Sequence, residues 1–158
     1  MQWSILKIRP SLALAALALV TALPAAAQYR NAEAAIKYRQ SAMTLQNNHM
    51  GRLFAMIKGE VPFDAKVAAE NIEIVALLNS RVQFAAFIEG SDKGNTNAKP
   101  EIWTEKDKFA AAVAKSQEDV VKLASAGKTG NLDQIKAAAG AVGQSCKACH
   151  DTYKKPQS

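Results

Sequence analysis

Residues 132–155 read LDQIKAAAGAVGQSCKACHDTYKK, and this stretch decides the fold because its apolar side chains recur at the three- and four-residue spacing of one helix face. The stripe consists of Leu132, Ile135, Ala139, Val142, Cys146 and Cys149. Gly127, Gly130 and Asn131 lie just upstream and predict a turn. A helix with one apolar stripe needs other elements to cover it. The stretch therefore predicts one member of a helical domain.

Two more helices are predicted near the start of the chain. The first spans residues 32–58 and ends at Gly59, and the second spans residues 65–88 after an N-terminal cap at Asp64. The stripe of the first helix carries Ile36, Met43, Met50 and Ile57. The predicted buried face of the second helix carries Val67, Ile74, Val75, Leu78 and Val82. Each of these helices has one face to bury.

A fourth helix is predicted from Thr104 to Ala126, with Asp107 in its first turn, after a long loop from Glu89 to Pro100. Short turns make the other connections, and no segment alternates with a period of two. Four helices that each bury one stripe predict an all-α fold, an antiparallel four-helix bundle. One such domain accounts for residues 28–158.

The first 27 residues are predicted to be a cleaved signal peptide. Lys7 and Arg9 give a positive start, an apolar run follows at residues 11–23, and residues 25–27 offer a small-residue cleavage site. The apolar run is shorter than the roughly 20 residues that cross a bilayer, which argues against a membrane anchor. We therefore expect an exported protein with no membrane attachment after cleavage.

The charge of the chain is mildly basic. The formal net charge is +6, and Lys7 and Arg9 of the predicted leader supply two of these charges. The lysines are spread along the chain rather than massed, which argues against nucleic-acid binding. A mildly basic surface is compatible with an acidic redox partner.

Cys146, Cys149 and His150 form the CxxCH sequence of covalent haem attachment. Two thiols three apart on a helical turn can bond the two vinyl groups of one porphyrin, and the next residue can ligate the iron. A zinc site would need four ligands, and only His49 remains beyond these three. A redox CxxC motif belongs near a βαβ pattern, and a disulfide in so small a ring would stabilise little. The sequence therefore predicts one haem c, with His150 as an axial ligand.

The residues themselves leave the opposite iron ligand open. Met43 lies on the inward stripe of the first helix, and a thioether can be the axial partner of His. A Met at heptad spacing also serves as core filler. His49 lies off the stripe and is interpreted as a surface or rim histidine.

Three separated motifs resemble the cytochrome c′ family: residues 37–42 (KYRQSA), residues 100–103 (PEIW) and residues 145–153 (SCKACHDTY). The resemblance runs in the same order from Gln28 to the C-terminus. It implies a periplasmic four-helix bundle that forms a homodimer through its first two helices. It also implies high-spin, five-coordinate iron with His150 as the only protein ligand. The implied distal face is apolar and crowded, and admits nitric oxide (NO) and carbon monoxide (CO) over oxygen.

The resemblance further implies roles for five residues. Arg39 and Gln40 match positions beside the haem propionates, and Asn97 matches a haem-contacting loop position. Met43 falls at the distal position, which holds different residues in different members. Lys154 matches a basic position on the proximal face where other members carry Arg, and Lys keeps the charge but loses the planar fork.

Two functions follow from these assignments. With an open iron the protein binds small gases, and with Met43 as sixth ligand it is a low-spin electron carrier that docks to a redox partner. An enzyme would need a proton donor near the distal face, and the spacing places no acid, His or Tyr there. We therefore expect a binding or electron-transfer protein rather than an enzyme.

Overall fold

The structure is a computed structural model, and it describes residues 28–156. The predicted signal peptide and residues 157–158 lie outside the described residues. The helices are α1 (Ala32–Ile57), α2 (Ala65–Leu77), α3 (Glu101–Thr104), α4 (Lys106–Gly127) and α5 (Leu132–Tyr153). The long helices pack as α1 against α2, α2 against α4 and α4 against α5. This arrangement confirms the predicted four-helix bundle, with α3 as a single extra turn.

Side-chain caps begin three of the four long helices. Asn31, Asp64 and Asn131 precede α1, α2 and α5, and each side-chain oxygen accepts a backbone N–H two or three residues on, at 2.8–3.0 Å. Gly59 and Gly130 turn the chain after α1 and α4 with φ of 74° and 64°, a conformation that favours glycine. These local signals explain why the predicted starts of α1, α2 and α5 agree with the structure.

The core runs along the bundle axis and takes side chains from all four long helices. Its buried members are Met50, Leu53, Met56, Ala68, Ile72, Val75, Val120, Leu123, Ala126, Ile135, Ala139 and Val142. Cys146 is half-buried and packs against this cluster. The core therefore ends beside the predicted haem-attachment sequence. Among residues 28–156, no helix is long and apolar enough to cross a membrane.

The second helix is shorter than its predicted span of residues 65–88. Its α-helical part ends at Leu77, and a π-helical turn, Leu78–Val82, follows. The N–H of Gln83 donates to the carbonyl of Leu78 at 2.9 Å, after which the chain continues in turns. The apolar spacing persists through these turns, which is why the sequence did not reveal the end of the helix. A π turn accommodates an extra residue and often marks a functional site.

The predicted buried face of the second helix is wrong at two positions. Val67 and Ile74 are 42% and 39% exposed, whereas Val75 is fully buried. Asn71 and Ile72 hold the inward positions instead, so the interior face is rotated towards them. The sequence misled here because the outward face of α2 is also apolar.

The predicted start of the third long helix is also wrong. Thr104 ends the short α3 rather than opening a long helix, and α4 begins at Lys106. Glu105, with φ −116° and ψ 50°, separates the two and makes no side-chain cap. Asp107 nevertheless lies in the first turn of α4, as predicted.

Candidate functional site

Cys146 and Cys149 lie near the end of α5, where their three-residue spacing puts them on one helix face. Both are half-buried free thiols. Burial raises the pKa of each thiol, and the nearby charge of Asp119 raises the pKa of Cys146 further. The surroundings therefore favour the neutral thiol form. The spacing on one helix face, rather than this shift, is what fits covalent attachment of a porphyrin.

His150 follows directly on the same helix and is exposed at its edge. Desolvation of the ring lowers the pKa of His150, and the positive charge of Lys154 lowers it further, against a smaller opposing effect of Asp151. A lowered pKa keeps the imidazole neutral, which is the form that ligates a metal. The predicted axial ligand thus has the required protonation state near neutral pH.

The chain leaving α5 is paired with the long loop. Ala98 and Lys154 form an isolated antiparallel bridge. The N–H of Lys155 donates to the carbonyl of Asn97 at 2.7 Å, and the N–H of Lys99 donates to the carbonyl of Tyr153 at 2.9 Å. Asn97 and Lys154, predicted from separate motifs, are therefore neighbours just beyond His150. The side chain of Asn97 is exposed, and the contact here is made by its backbone.

An aromatic cluster lies at the same end of the bundle, and the sequence did not single it out as a unit. Phe87 is central: its ring centroid lies 5.1 Å from that of Phe109, 6.1 Å from that of Trp103 and 6.5 Å from that of Phe84. Phe109 in turn meets Tyr153 edge-to-face at 5.3 Å. Because Tyr153 follows His150 by three residues, this cluster supplies apolar walls close to the attachment sequence.

Arg39 is buried, only 3% exposed, and its guanidinium is directed at the long loop and the turns before it. Nη1 donates to the carbonyl of Ala86 at 3.1 Å and to Ser91 Oγ at 2.7 Å. Nη2 donates to the carbonyl of Ser91 at 2.6 Å and to Thr96 Oγ1 at 2.9 Å. Burial lowers the pKa of Arg39, with the charge of Asp92 acting in the opposite direction.

The same guanidinium lies over two rings of the aromatic cluster, 4.8 Å from the centroid of Phe87 and 5.6 Å from that of Trp103. The terminal nitrogens of Arg39 thus donate hydrogen bonds to oxygen atoms of the protein itself. A role for Arg39 beside the haem propionates stays a prediction, and the contacts in the structure show that Arg39 stabilises the loop.

Gln40 is exposed and also contacts the loop, since its Nε2 donates to the carbonyl of Asn95 at 2.9 Å. It lines an open groove of about 420 Å³ together with Lys37 and Lys93. Glu33 lines the same groove, so its two ammonium groups and one carboxylate leave a net positive charge. A net positive charge with an amide donor at the edge is compatible with a carboxylate ligand.

Met43 is half-buried on α1, one turn beyond Arg39 and Gln40. Met50 and Met56 on the same helix are 7% and 5% exposed and belong to the core. Met43 thus differs from these core methionines, because part of its side chain is not covered by protein. This exposure fits a side chain that faces a cofactor.

Three buried amides were not predicted from the sequence. Gln46, Asn79 and Gln83 are 6%, 1% and 3% exposed, and each has at least one side-chain atom with no hydrogen-bond partner within residues 28–156. A polar residue on the apolar stripe of α1 was the available signal, since Gln46 lies between Met43 and Met50. Buried polar atoms without partners are uncommon, so these amides mark a place where a non-protein group is expected.

The structure joins the predicted residues through the long loop. Arg39 and Gln40 hold the loop from α1, and Asn97 and Lys154 tie it to the end of α5, which carries His150. Two thiols on one face, a neutral imidazole, an aromatic wall and unpartnered buried amides together fit a covalently held haem.

Comparison with known proteins gives a consistent result. Residues 34–154 match the sequence model of a family described as Cytochrome C′. The chain is 52% identical over 129 residues to cytochrome c′ of Rubrivivax gelatinosus, which covers 81% of this chain and 99% of that protein. It is 44% identical over 128 residues to cytochrome c′ of Alcaligenes xylosoxydans xylosoxydans, which covers 81% and 98%.

Solved structures agree with these relatives. The crystal structure of cytochrome c′ from Rubrivivax gelatinosus superposes with a TM-score of 0.78 at 51% identity, covering 81% of this chain and 100% of that one. A nitric oxide complex and a carbon monoxide-bound form, both of cytochrome c prime variants from Alcaligenes xylosoxidans, each superpose with a TM-score of 0.76 at 42% identity. Each covers 81% of this chain and 99% of that one.

Proposed function

This chain belongs to the cytochrome c′ family, and from that premise we propose that it is a periplasmic haem protein that binds nitric oxide and carbon monoxide. The observation that carries the proposal is the similarity of residues 34–154 to proteins whose solved structures hold these gases. Export would remove residues 1–27 and leave Gln28 at the N-terminus. The family carries covalently attached haem c, as this chain does.

The site residues have separate roles in this proposal. Cys146 and Cys149 hold the porphyrin by thioether bonds, and His150 ligates the iron through its neutral imidazole. Gln40 faces a propionate from the basic groove, while Arg39 keeps the adjoining loop in place. When bound, the haem supplies an iron whose open face takes a diatomic gas.

The proximal side has its own set of residues. Lys154 gives a positive charge near His150, and Asn97 fixes the backbone next to it. A lysine favours the neutral imidazole by repulsion, but it lacks the fork with which an Arg would bind two acceptors. We therefore assign Lys154 an electrostatic role at the proximal face.

Met43 decides between gas binding and electron transfer. As a distal side chain that only covers the iron, it leaves five-coordinate, high-spin iron that takes a gas. As a sixth ligand, it makes a low-spin electron carrier that would dock to a redox partner. The half-buried state of Met43 is compatible with both roles, and we propose the first.

Optical spectra test this choice. We expect the reduced wild-type protein to be high-spin and to change its spectrum when carbon monoxide is added. Met43→Leu should keep the same spin state, because a covering side chain is exchanged for another of similar volume. Met50→Leu is the matched control, since it makes the same exchange inside the core. A reduced wild type that is low-spin and does not change its spectrum with carbon monoxide, together with a high-spin Met43→Leu variant, would support electron transfer instead.

The exposed apolar residues of α1 and α2 support a homodimer through these helices. Leu77, Leu45, Val67, Tyr38 and Ile74 are between 58% and 39% exposed. Several exposed apolar side chains on two neighbouring helices are costly in water and are typical of an interface. We propose that a second copy of the chain covers it in a twofold arrangement, as the family resemblance implies.

Leu77→Glu should therefore weaken the dimer. A carboxylate at the most exposed of these positions would be desolvated in the interface, which costs more than the loss of one apolar contact. Sedimentation velocity should show monomer at concentrations where the wild type is dimeric. Val121→Glu, at a 65% exposed position on α4, should leave the dimer intact. Equal dimer dissociation constants for Leu77→Glu and the wild type would show that the dimer interface does not include Leu77.

A further inference from the structure

We propose that the side-chain amide of Gln46 donates a hydrogen bond to the gas bound on the distal face of the haem. The role rests on the proposed gas-binding function and gives that site a specificity-determining residue. It also replaces the expectation of an apolar distal face without donors.

Gln46 is buried, and neither its Nε2 nor its Oε1 has a hydrogen-bond partner within residues 28–156. Proteins seldom bury an amide in this way, because a desolvated donor without an acceptor costs free energy. No described residue supplies an acceptor within hydrogen-bond distance of Nε2, whose two hydrogens both need one. The oxygen end of a bound diatomic gas is such an acceptor.

Gln46 lies next to the distal position along α1. It follows Met43 by three residues, and residues three or four apart share one helix face. Met43 is half-buried, whereas Met50, one turn beyond Gln46, is in the core. Gln46 thus stands between the distal side chain and the packed core, where an amide could reach a ligand beside Met43.

The segment that follows α2 places further amide groups near Gln46. Two contacts fix how this segment and α2 run along α1: Arg39 Nη1 donates to the carbonyl of Ala86, and His49 Nδ1 lies 2.8 Å from Asn71 Oδ1. Gln46 lies between Arg39 and His49 on α1, and Asn79 and Gln83 lie between Asn71 and Ala86 on the facing segment. The three amides therefore belong to the same stretch of the bundle, between these two contacts.

These neighbouring amides provide acceptors that can orient Gln46. Asn79 Oδ1 and Gln83 Oε1 are buried and have no hydrogen-bond partner in the described part of the chain. Asn79 is itself held, since its Nδ2 donates to Ser116 Oγ at 2.9 Å. An amide nitrogen carries two hydrogens. One N–H of Gln46 can therefore turn towards these oxygens while the other faces the ligand.

The packing of α1 against α5 places Gln46 near the attachment residues. Phe54 Cζ on α1 lies 3.6 Å from where a Cβ at Gly143 on α5 would be. In this antiparallel pair, Gln46, eight residues before Phe54, corresponds to the position eight residues after Gly143, directly beyond His150. Gln46 is therefore at the height of the haem-attachment sequence rather than in the middle of the core.

Infrared spectra of the ferrous carbon monoxide complex test this role. Gln46→Met keeps the side-chain volume and removes the donor, so the C–O stretching frequency should rise. The dissociation constant should increase roughly two- to tenfold, the effect of one neutral hydrogen bond. Gln134→Met is the control, because it makes the same exchange at an exposed amide in the first turn of α5, far from the attachment sequence. It should leave both values unchanged.

A second measurement needs no variant. Transfer of the wild-type carbon monoxide complex from H₂O to D₂O should shift the ligand vibrations if an exchangeable N–H contacts the gas. Wild-type protein that binds carbon monoxide with no D₂O shift, or a frequency equal to that of Gln46→Met, would overturn the role of Gln46 alone. Wild-type protein that binds no carbon monoxide would overturn the gas-binding function and the role of Gln46 with it.

Discussion

Replacing Arg39 with Met is expected to lower the melting temperature of the haem-loaded protein by about 10–20 °C, which corresponds to about 3–5 kcal/mol of unfolding free energy. The guanidinium is buried and donates to four oxygen atoms of Ala86, Ser91 and Thr96. Met fills a similar volume but removes the donor to the carbonyls of Ala86 and Ser91 and to Ser91 Oγ, while Thr96 Oγ1 keeps the N–H of Ala98 at 3.1 Å. The loss is therefore larger than that of a surface ion pair.

Arg39→Met should also affect the candidate haem site. The loop held by Arg39 is bonded at its far end to the chain beyond α5, where Asn97 accepts from Lys155. Arg52→Met is the matched control, because Arg52 is exposed on the same helix and should cost little stability. Thermal unfolding followed by circular dichroism measures both. A melting temperature for Arg39→Met equal to that of Arg52→Met would mean that the loop does not depend on Arg39.

The bundle is predictable because most of its long helices carry two signals, an apolar stripe and a capping residue. Asn131 and the stripe from Ile135 to Val142 suffice to predict the start and the buried face of α5. The attachment residues are equally predictable from the sequence, because the chemistry of CxxCH requires a fixed spacing within one helical turn. Both predictions depend on local geometry alone.

The errors arose where tertiary contacts override local pattern. The second helix gives way to a π turn and then to turns fixed by Arg39, which donates to the carbonyl of Ala86 from another helix. The outward apolar face of α2, with Val67 and Ile74, is not covered by any part of residues 28–156, so spacing alone assigned it to the core. Long-range contacts of this kind leave no periodic signal.

The polar side of the site was the hardest to foresee. Gln46 interrupts an otherwise apolar stripe, which suggests a surface position, whereas the structure shows it buried. Arg39, as a charged residue, would ordinarily be expected at the surface, although it is buried and its partners are oxygens of Ala86 and Ser91, more than forty residues away. A polar residue on an inward stripe is therefore a signal for a site, and only burial and missing partners reveal which site it serves.

Substituting both attachment residues, Cys146→Ala with Cys149→Ala, is expected to abolish all haem that stays with the polypeptide after denaturation. Haem staining of a denaturing gel measures this directly. Cys146→Ala alone is the control, because the bond to Cys149 should still hold the porphyrin. His150 and the aromatic cluster around Phe87 could retain haem in the folded double variant, so its native spectrum need not vanish.

The double variant should also change the thermodynamics of unfolding. A covalent cofactor stays with the unfolded chain, so the melting temperature of the wild type should not depend on added haem. A non-covalent cofactor stabilises only the folded state, by RT ln(1 + [L]/Kd), so the melting temperature of the double variant should rise with haem concentration. Haem that stays on the denatured double variant would show attachment through a group other than Cys146 and Cys149. A melting temperature that does not depend on added haem would show that the folded double variant does not bind free haem at the concentrations used.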